Sequence, residues 1–246
     1  MTAEVQAAAS DLRHELAPTG VLRVGVNYGN PVIAQRDSAG GDPRGVGPEL
    51  ARELARRVGV GIRYVTYESA GKMTDALKEG AWDLAFLAVD PGRAEEIAFS
   101  APYVEIEGTY LVKKDAPFRL IGDVDSGGVR IAVGAKSAYD LFLTRNITNA
   151  KLVRTGSVTE SMAEFRAGRA DVVAGVKQAL LAELKQNPDL RLIDGNFMVI
   201  RQASGVPQGR PNAARYLCAF IDESKASGFV RKALDASGHA DAPVAL

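Results

Sequence analysis

Short apolar segments alternate with amphipathic segments along almost the whole chain. Residues 21–27 (VLRVGVN), 83–89 (DLAFLAV) and 171–176 (DVVAGV) are apolar enough to predict buried strands. Residues 48–60 (PELARELARRVGV) carry an apolar side chain at every fourth position, which predicts a helix with one buried stripe. A regular alternation of strands and helices favours α/β layers with mainly parallel sheets.

The same periodicity predicts the remaining elements. The predicted helices include one in the first 19 residues that is closed by Pro18 and Gly20, and then 48–60, 72–79, 91–96, 138–146, 158–168, 178–187, 211–225 and 228–236. The predicted strands are 21–27, 62–67, 83–89, 108–114, 129–134, 151–155, 171–176, 190–194 and 197–202.

One pattern occurs twice. Residues 76–89 and residues 164–176 both contain a helix, a glycine, two further residues, an aspartate and an apolar strand. The pattern is typical of a helix-to-strand connection, and it is also expected if the chain forms two similar α/β lobes. In open α/β sheets, ligands bind beyond the carboxyl ends of the strands, which here are residues 27–30, 88–93, 134–137 and 175–177.

Composition excludes several function classes. The 30 basic and 30 acidic side chains cancel, so no basic surface for nucleic acid or an anionic membrane is predicted. No segment is apolar over the length of a bilayer, so we expect a protein that is not membrane-embedded. The first 20 residues lack the features of a signal peptide. We therefore expect a cytoplasmic protein if the sequence is complete as written, or a periplasmic one if a leader has been omitted.

Familiar catalytic and cofactor motifs are absent from the sequence. The two histidines, His14 and His239, lie near the termini, which argues against a histidine-based nucleophile or metal cluster. Residues 69–74 (SAGKMT) and 45–50 (GVGPEL) each lack residues that a phosphate loop or a dinucleotide fingerprint requires. We expect no cofactor, no metal and no assigned catalytic residue.

Arg93 is the most informative candidate for binding. Asp90 before Pro91 predicts a helix N-cap, which places Arg93 in the first turn of that helix. A cation there opposes the helix dipole, so Arg93 is either a solvated surface charge or the partner of an anion that is not part of the chain. We favour a guanidinium that holds a carboxylate.

Further candidates follow other strand ends, and each also has a structural interpretation. Tyr28 and Asn30, with Asn27, could supply a stacking face and amide groups, or they could only shape a loop. Ser137 with Asp140 matches a capping box, although the helix start after Lys136 could also bind an anion. Lys72 is either a surface lysine or lies at the rim of a ligand cleft.

Three segments together resemble a known family. They are GVLRVGVNYGNPVIA, GVGPELARELARRVGV and ALKEGAWDLAFLAVDPGRAEEIAFSAPY, and GVRIAVGAKSAYDLFL and GRADVVAGV follow in the second half. Residues 20–238 resemble the solute-binding proteins of polar-amino-acid ABC transporters. The resemblance implies a two-lobed periplasmic binding protein type II fold, in which two α/β domains joined by two hinge strands close on a ligand. It implies an N-terminal helical extension (1–19), lobe 1 (20–112 and 201–246) and lobe 2 (113–200).

The resemblance also implies roles for site residues. Arg93 aligns with the family arginine that holds the ligand α-carboxylate, whereas Ala88 and Asp90 stand where the family has a hydroxyl residue and a threonine. Val176 aligns with the aspartate that holds the α-ammonium, and an aromatic platform falls near Ala70. Burying an ammonium without a partner is costly, so we expect a small organic anion rather than a standard α-amino acid.

The expected function is therefore non-enzymatic capture of a small carboxylate between two lobes. Expected partners are that ligand and an ABC transporter permease, and we expect a monomer or a weak dimer. Two alternatives remain open. Cyclohexadienyl or arogenate dehydratases resemble the same fold and would need Glu105, Glu107 or Asp90 as a general acid. An intracellular ligand sensor is the other alternative.

Overall fold

The chain forms two compact units in the computed structural model, which describes the backbone of residues 3–246 and the side chains of residues 10–246. The first unit contains residues 1–67, 72–105 and 201–246, and the second contains residues 68–71 and 106–200. The two units are described separately below. The ligand-binding lobes proposed from the sequence, 20–112 with 201–246 and 113–200, stay a proposal.

Helices and strands alternate as the hydrophobic pattern predicts. The helices are α1 (Ala3–Leu16), α2 (Val46–Val58), α3 (Ala70–Asp75), α4 (Pro91–Ala94), α5 (Ala138–Asn146), α6 (Val158–Arg166), α7 (Lys177–Leu184), α8 (Pro211–Ala226) and α9 (Phe229–Ala236). The strands are β1 (Val21–Asn27), β2 (Gly61–Tyr67), β3 (Leu84–Ala88), β4 (Ile97–Phe99), β5 (Val104–Lys113), β6 (Arg130–Gly134), β7 (Lys151–Thr155), β8 (Val172–Val176), β9 (Leu190–Leu192) and β10 (Met198–Pro207). Residues 1 and 2 of the predicted N-terminal helix lie outside the described residues.

The sheet of the first unit has the strand order β2-β1-β3-β10. Strands β1, β2 and β3 are parallel, whereas β10 runs antiparallel to β3 and also pairs with β4. Trp82, Leu87 and Ile97 form a buried cluster beside this sheet, to which Met73 and Ala85 also belong. Helix α9 packs on α2, and α1 packs on α8. The apolar positions of β3 are therefore covered on both faces, as its continuous apolar sequence predicts.

The sheet of the second unit has the strand order β5-β8-β6-β7, with β9 beside β5. Strand β6 is parallel to β7 and β8, whereas β5 is antiparallel to β8 and β9. The core includes Leu111, Phe165 and Val173. The expectation of mainly parallel sheets is therefore only partly right, because β5 and β10 introduce antiparallel pairs in their respective units.

The repeated glycine–aspartate pattern has the same structural role in both units. In the first unit, Asp83 accepts hydrogen bonds from the backbone N and the guanidinium of Arg23 at 2.8–3.2 Å. In the second unit, Asp171 accepts the matching bonds from Arg130 at 2.8–3.0 Å. Each aspartate thus ties the beginning of one strand to the arginine of its parallel neighbour.

Helix α2 begins at Val46, two residues before the start at Pro48 that the sequence pattern predicts. Gly45 precedes it with a φ of +116°, and a Cβ there would lie 2.6 Å from the carbonyl oxygen of Ile33. Only glycine allows this close backbone approach, which brings the loop after β1 against α2.

Within the described residues, no helix has both the length and the apolar character needed to cross a membrane.

Candidate functional site

The segment after β3 places Arg93 at the carboxyl end of the first unit's sheet. Asp90 caps helix α4, because its Oδ1 accepts a hydrogen bond from Gly92 N at 3.0 Å, and Pro91 occupies the first helical position. Arg93 follows in that turn and is 6% exposed. Its Nη1 donates to the carbonyl oxygen of Ala88 at 3.0 Å, which fixes the direction of the guanidinium. Arg93 is therefore a buried residue, and the alternative of a solvated surface charge is wrong.

Burial and charge have opposite effects on Arg93. Burial lowers the pKa of the guanidinium from its usual 12.5 to about 10, whereas the Asp90 charge raises the pKa. A pKa of about 10 keeps the side chain cationic at neutral pH. A planar guanidinium presents N–H donors in a fork that matches the two oxygens of a carboxylate. The geometry can thus hold a carboxylate at the end of β3.

Ala88 closes β3 beside Arg93 and is 4% exposed. Its methyl side chain has no polar atom, so the contribution of Ala88 to this site comes from the backbone carbonyl that holds Arg93. Ala88 and Gln202 on β10 are register partners. Gln202 was not among the residues singled out from the sequence.

The loop after β1 uses its amide side chains to shape the backbone. Asn27 Oδ1 accepts from Gly29 N at 2.9 Å, and Asn30 Oδ1 accepts from Val32 N at 3.3 Å. The guanidinium of Arg36 lies over the ring of Tyr28, 4.2 Å from the ring centroid. These contacts agree with the loop-shaping interpretation of both asparagines, and a role in ligand binding stays a prediction.

The lysine candidates belong to different units. Lys72 lies on α3 in the first unit and is exposed. Lys136 lies in the second unit with a φ of +57°, a left-handed conformation that is uncommon for a residue with a side chain. Its backbone N donates to Asp140 Oδ2 at 2.8 Å, and Ser137 Oγ accepts from Asp140 N at 3.0 Å. Ser137 is thus the N-cap of α5, as the capping-box pattern predicts.

Val176 ends β8 and stands at the N-cap position of α7, where it provides no side-chain hydrogen bond. It is 5% exposed. Glu107 on β5 lies opposite Lys177, the residue after Val176, because Gly108 and Val176 are register partners. The Glu107 carboxylate accepts hydrogen bonds from Lys177 Nζ and from Asn196 Nδ2. The carboxylate beside this helix start is therefore already engaged.

The predicted site residues thus fall into two sets. Seven lie in the first unit (Asn27, Tyr28, Asn30, Lys72, Ala88, Asp90 and Arg93), and three lie in the second (Lys136, Ser137 and Val176). Ala88, Asp90 and Arg93 form one connected group in the first unit.

The acidic, histidine and cysteine side chains do not cluster in the described part of the chain. No group of three His, Cys, Asp or Glu side chains in residues 10–246 could hold a metal ion. Glu105, which the dehydratase alternative would need as a general acid, forms an ion pair with Arg201 at 3.4 Å.

Two α/β units, between which the chain passes along β5 and β10, define a two-lobed α/β protein. Residues 22–236 match the family model of bacterial extracellular solute-binding proteins, family 3. The chain belongs to this family, and the resemblance drawn from its sequence is confirmed.

Known relatives agree with this assignment. The chain is 24% identical over 198 residues to a glutamine-binding protein of Geobacillus stearothermophilus, which covers 77% of this chain and 74% of that protein. It matches a crystal structure of a mutant of ArgBP from T. maritima with a TM-score of 0.78 and 24% identity, over 94% of this chain and 99% of that one. It also matches the ancestral amino acid-binding protein AncCDT-1, a precursor of cyclohexadienyl dehydratase. The TM-score is 0.75 with 23% identity, over 90% of this chain and 97% of that one.

Proposed function

We propose that this solute-binding protein captures a small organic carboxylate that has no α-ammonium group. The observation that carries the proposal is the buried, cationic Arg93 at the end of β3. A ligand carboxylate would accept the N–H groups of the guanidinium fork. Arg93 is the anchor in this proposal, and Asn27, Tyr28, Asn30, Lys72, Lys136 and Ser137 are further candidate contacts.

The second unit supports the absence of an ammonium group. Val176 offers only methyl groups at the start of α7, and Glu107 is held by Lys177 and Asn196. An ammonium group buried beside Val176 would lose its hydration without a charged partner, at a cost on the order of a few kcal/mol. One relative is named as a glutamine-binding protein, and one similar structure is of arginine-bound ArgBP, so the ligands named for those proteins are amino acids. We propose that the present chain departs from them at this position.

Binding is better supported than a dehydratase activity. A general acid must be able to give up a proton within reach of the substrate. The three acidic candidates are each engaged: Asp90 caps α4, Glu105 pairs with Arg201, and Glu107 bonds to Lys177. The likeness to the dehydratase precursor is a likeness of fold.

We also propose a location and a partner from the family assignment. Its members are described as extracellular, which favours the periplasm or cell surface over the cytoplasm. A relative in Bacillus subtilis is named as a probable ABC transporter extracellular-binding protein. An ABC transporter permease is therefore the proposed protein partner.

A thermal-shift experiment with matched pairs of ligands tests the proposal. The pairs are L-leucine with 4-methylpentanoate, L-phenylalanine with 3-phenylpropionate, and L-glutamate with glutarate, which differ only in the amino group. A ligand that binds the folded state raises the unfolding temperature by mass action. We expect stabilisation by at least one carboxylate and none by its amino acid. Stronger stabilisation by the amino acids would contradict the proposal.

A further inference from the structure

Gln202 is a buried polar residue on β10 with an unusual lack of partners. It is 4% exposed, and no hydrogen bond joins its side-chain amide to any residue that the structure describes. Ser204, two residues along the same strand, is also buried, but its Oγ donates to Ser100 Oγ at 2.9 Å. A buried amide without a hydrogen-bond partner is unfavourable. The described residues therefore supply no hydrogen-bond partner for the Gln202 amide.

The strand register places Gln202 beside the Arg93 group. Val89 N donates to Arg201 O at 2.9 Å, so Val89 and Arg201 form a hydrogen-bonded antiparallel pair. The preceding pair, Ala88 with Gln202, is then a non-hydrogen-bonded pair. In such a pair the Cα atoms are about 4.5 Å apart, and the two side chains stand close together on one face of the sheet.

Arg93 and Gln202 therefore approach the same residue. The Arg93 guanidinium is held by the backbone carbonyl of Ala88, and the Gln202 side chain lies next to the Ala88 methyl group. All three residues belong to the first unit.

The Gln202 amide also keeps some contact with solvent. The fully enclosed side-chain atoms without a partner include Tyr103 Oη and Ser224 Oγ, but no atom of Gln202. The amide is therefore not fully enclosed, whereas those two hydroxyl groups are.

We infer that Gln202 is a ligand-binding residue that acts together with Arg93. Its amide N–H donates a hydrogen bond to the carboxylate that Arg93 anchors, and so completes the recognition of that group. A carboxylate can accept about four hydrogen bonds, so two from a guanidinium leave capacity for the amide. This inference rests on the proposed function, and it adds a contact from β10 to the one that α4 provides.

Calorimetric titration of Gln202 variants tests the inference. The probes are 4-methylpentanoate, 3-phenylpropionate and glutarate. Gln202→Met keeps the length of the side chain and removes the amide, and we expect it to weaken binding tenfold or more. Because it also removes a buried amide without partners, its unfolding temperature should equal or exceed that of the wild type. Gln202→Glu adds a negative charge at the same place and should abolish binding. Gln186→Met, at an exposed glutamine of the second unit, is the matched control and should bind as the wild type does.

The outcomes separate this inference from the proposed function. If Arg93→Met loses binding while Gln202→Met binds as tightly as the wild type, the proposed function stands and the role of Gln202 is wrong. If Gln202→Met fails to fold, Gln202→Leu replaces it under the same criteria. A wild-type protein that binds none of the three probes contradicts both the function and the role of Gln202.

Discussion

At the scale of single residues, the proposed function depends on Arg93 and on Val176. Arg93 is cationic and buried, with its direction set by the Ala88 carbonyl. Val176 is equally buried at the start of α7, but it offers neither a charge nor a cap. Under the proposed function, Arg93 favours an anionic ligand, and Val176 offers no partner to an ammonium group.

Val176→Asp is expected to change the ligand preference. The backbone at Val176 is extended (φ −66°, ψ 130°) at an N-cap position, so an aspartate can cap α7 there and also offer a carboxylate to an ammonium group. We expect the variant to gain binding of L-leucine or L-phenylalanine and to bind the corresponding desamino acid at least tenfold more weakly. Calorimetric titration of each pair measures both changes.

Val199→Asp is the control for this substitution, because it adds the same charge at an exposed valine. It should leave the preference unchanged. A Val176→Asp protein that folds but still prefers the desamino acids would show that position 176 does not select against an ammonium group.

At the scale of elements, the hydrophobic pattern predicts most helices and strands, but it does not predict what depends on pairing. The observed β1 spans the predicted residues 21–27, because its apolar sequence is sufficient to specify a buried strand. Strand β4 was missed, since three residues are too few to show a period. The predicted helix 72–79 divides into α3 and a 3-10 turn over Ala76–Glu79.

The cross-strand neighbours of Gln202 and Glu107 could not be predicted from the sequence. Both depend on cross-strand register: Gln202 faces Ala88, and Glu107 faces Lys177. Each pair joins residues that are far apart in the chain, so no local pattern reveals it. Arg93 could be singled out as a candidate from the sequence, because a cation in the first turn of a helix opposes the helix dipole.

Loop 148–150 depends on the ionised form of Asp125. The Asp125 carboxylate accepts hydrogen bonds from the backbone N atoms of Ala150, Thr148 and Asn149 at 2.7–2.9 Å. These bonds, that of Ala150 most, lower the pKa of Asp125 from 3.8 to about 2. A lowered pKa in the folded state gives a stabilisation that is complete above the unfolded pKa and is lost as the pH falls through the folded one.

Asp125→Asn is therefore expected to lower the free energy of unfolding at pH 7 and to flatten its decrease between about pH 4 and pH 2. Urea unfolding at several pH values in this range measures both effects. Asp189→Asn, at an exposed aspartate, should follow the wild-type curve. If Asp125→Asn loses stability as steeply as the wild type between pH 4 and pH 2, the carboxylate does not hold the loop in the way described.

At the scale of the whole molecule, the family assignment fixes the kind of function, and the chain's own residues decide the ligand. Residues 22–236 carry the family pattern, so capture of a solute is shared with the relatives. The aspartates Asp83 and Asp171 are the same structural tie in the two units, which explains why the sequence pattern repeats. Of the replacements, Asp90 caps α4, whereas Ala88 and Val176 have no polar side-chain atom. Under the proposed function, the replacements at Ala88 and Val176 reflect a different ligand.

Substitution of Arg93 tests most directly whether this residue anchors the ligand carboxylate. Arg93→Met and the control Arg63→Met, which alters an exposed arginine of β2, should be titrated by calorimetry with whichever of 4-methylpentanoate, 3-phenylpropionate and glutarate most raises the unfolding temperature of the wild type. We expect Arg93→Met to lose detectable binding while it remains folded, and Arg63→Met to bind as the wild type does. Unchanged affinity in a folded Arg93→Met protein would show that Arg93 does not anchor the carboxylate.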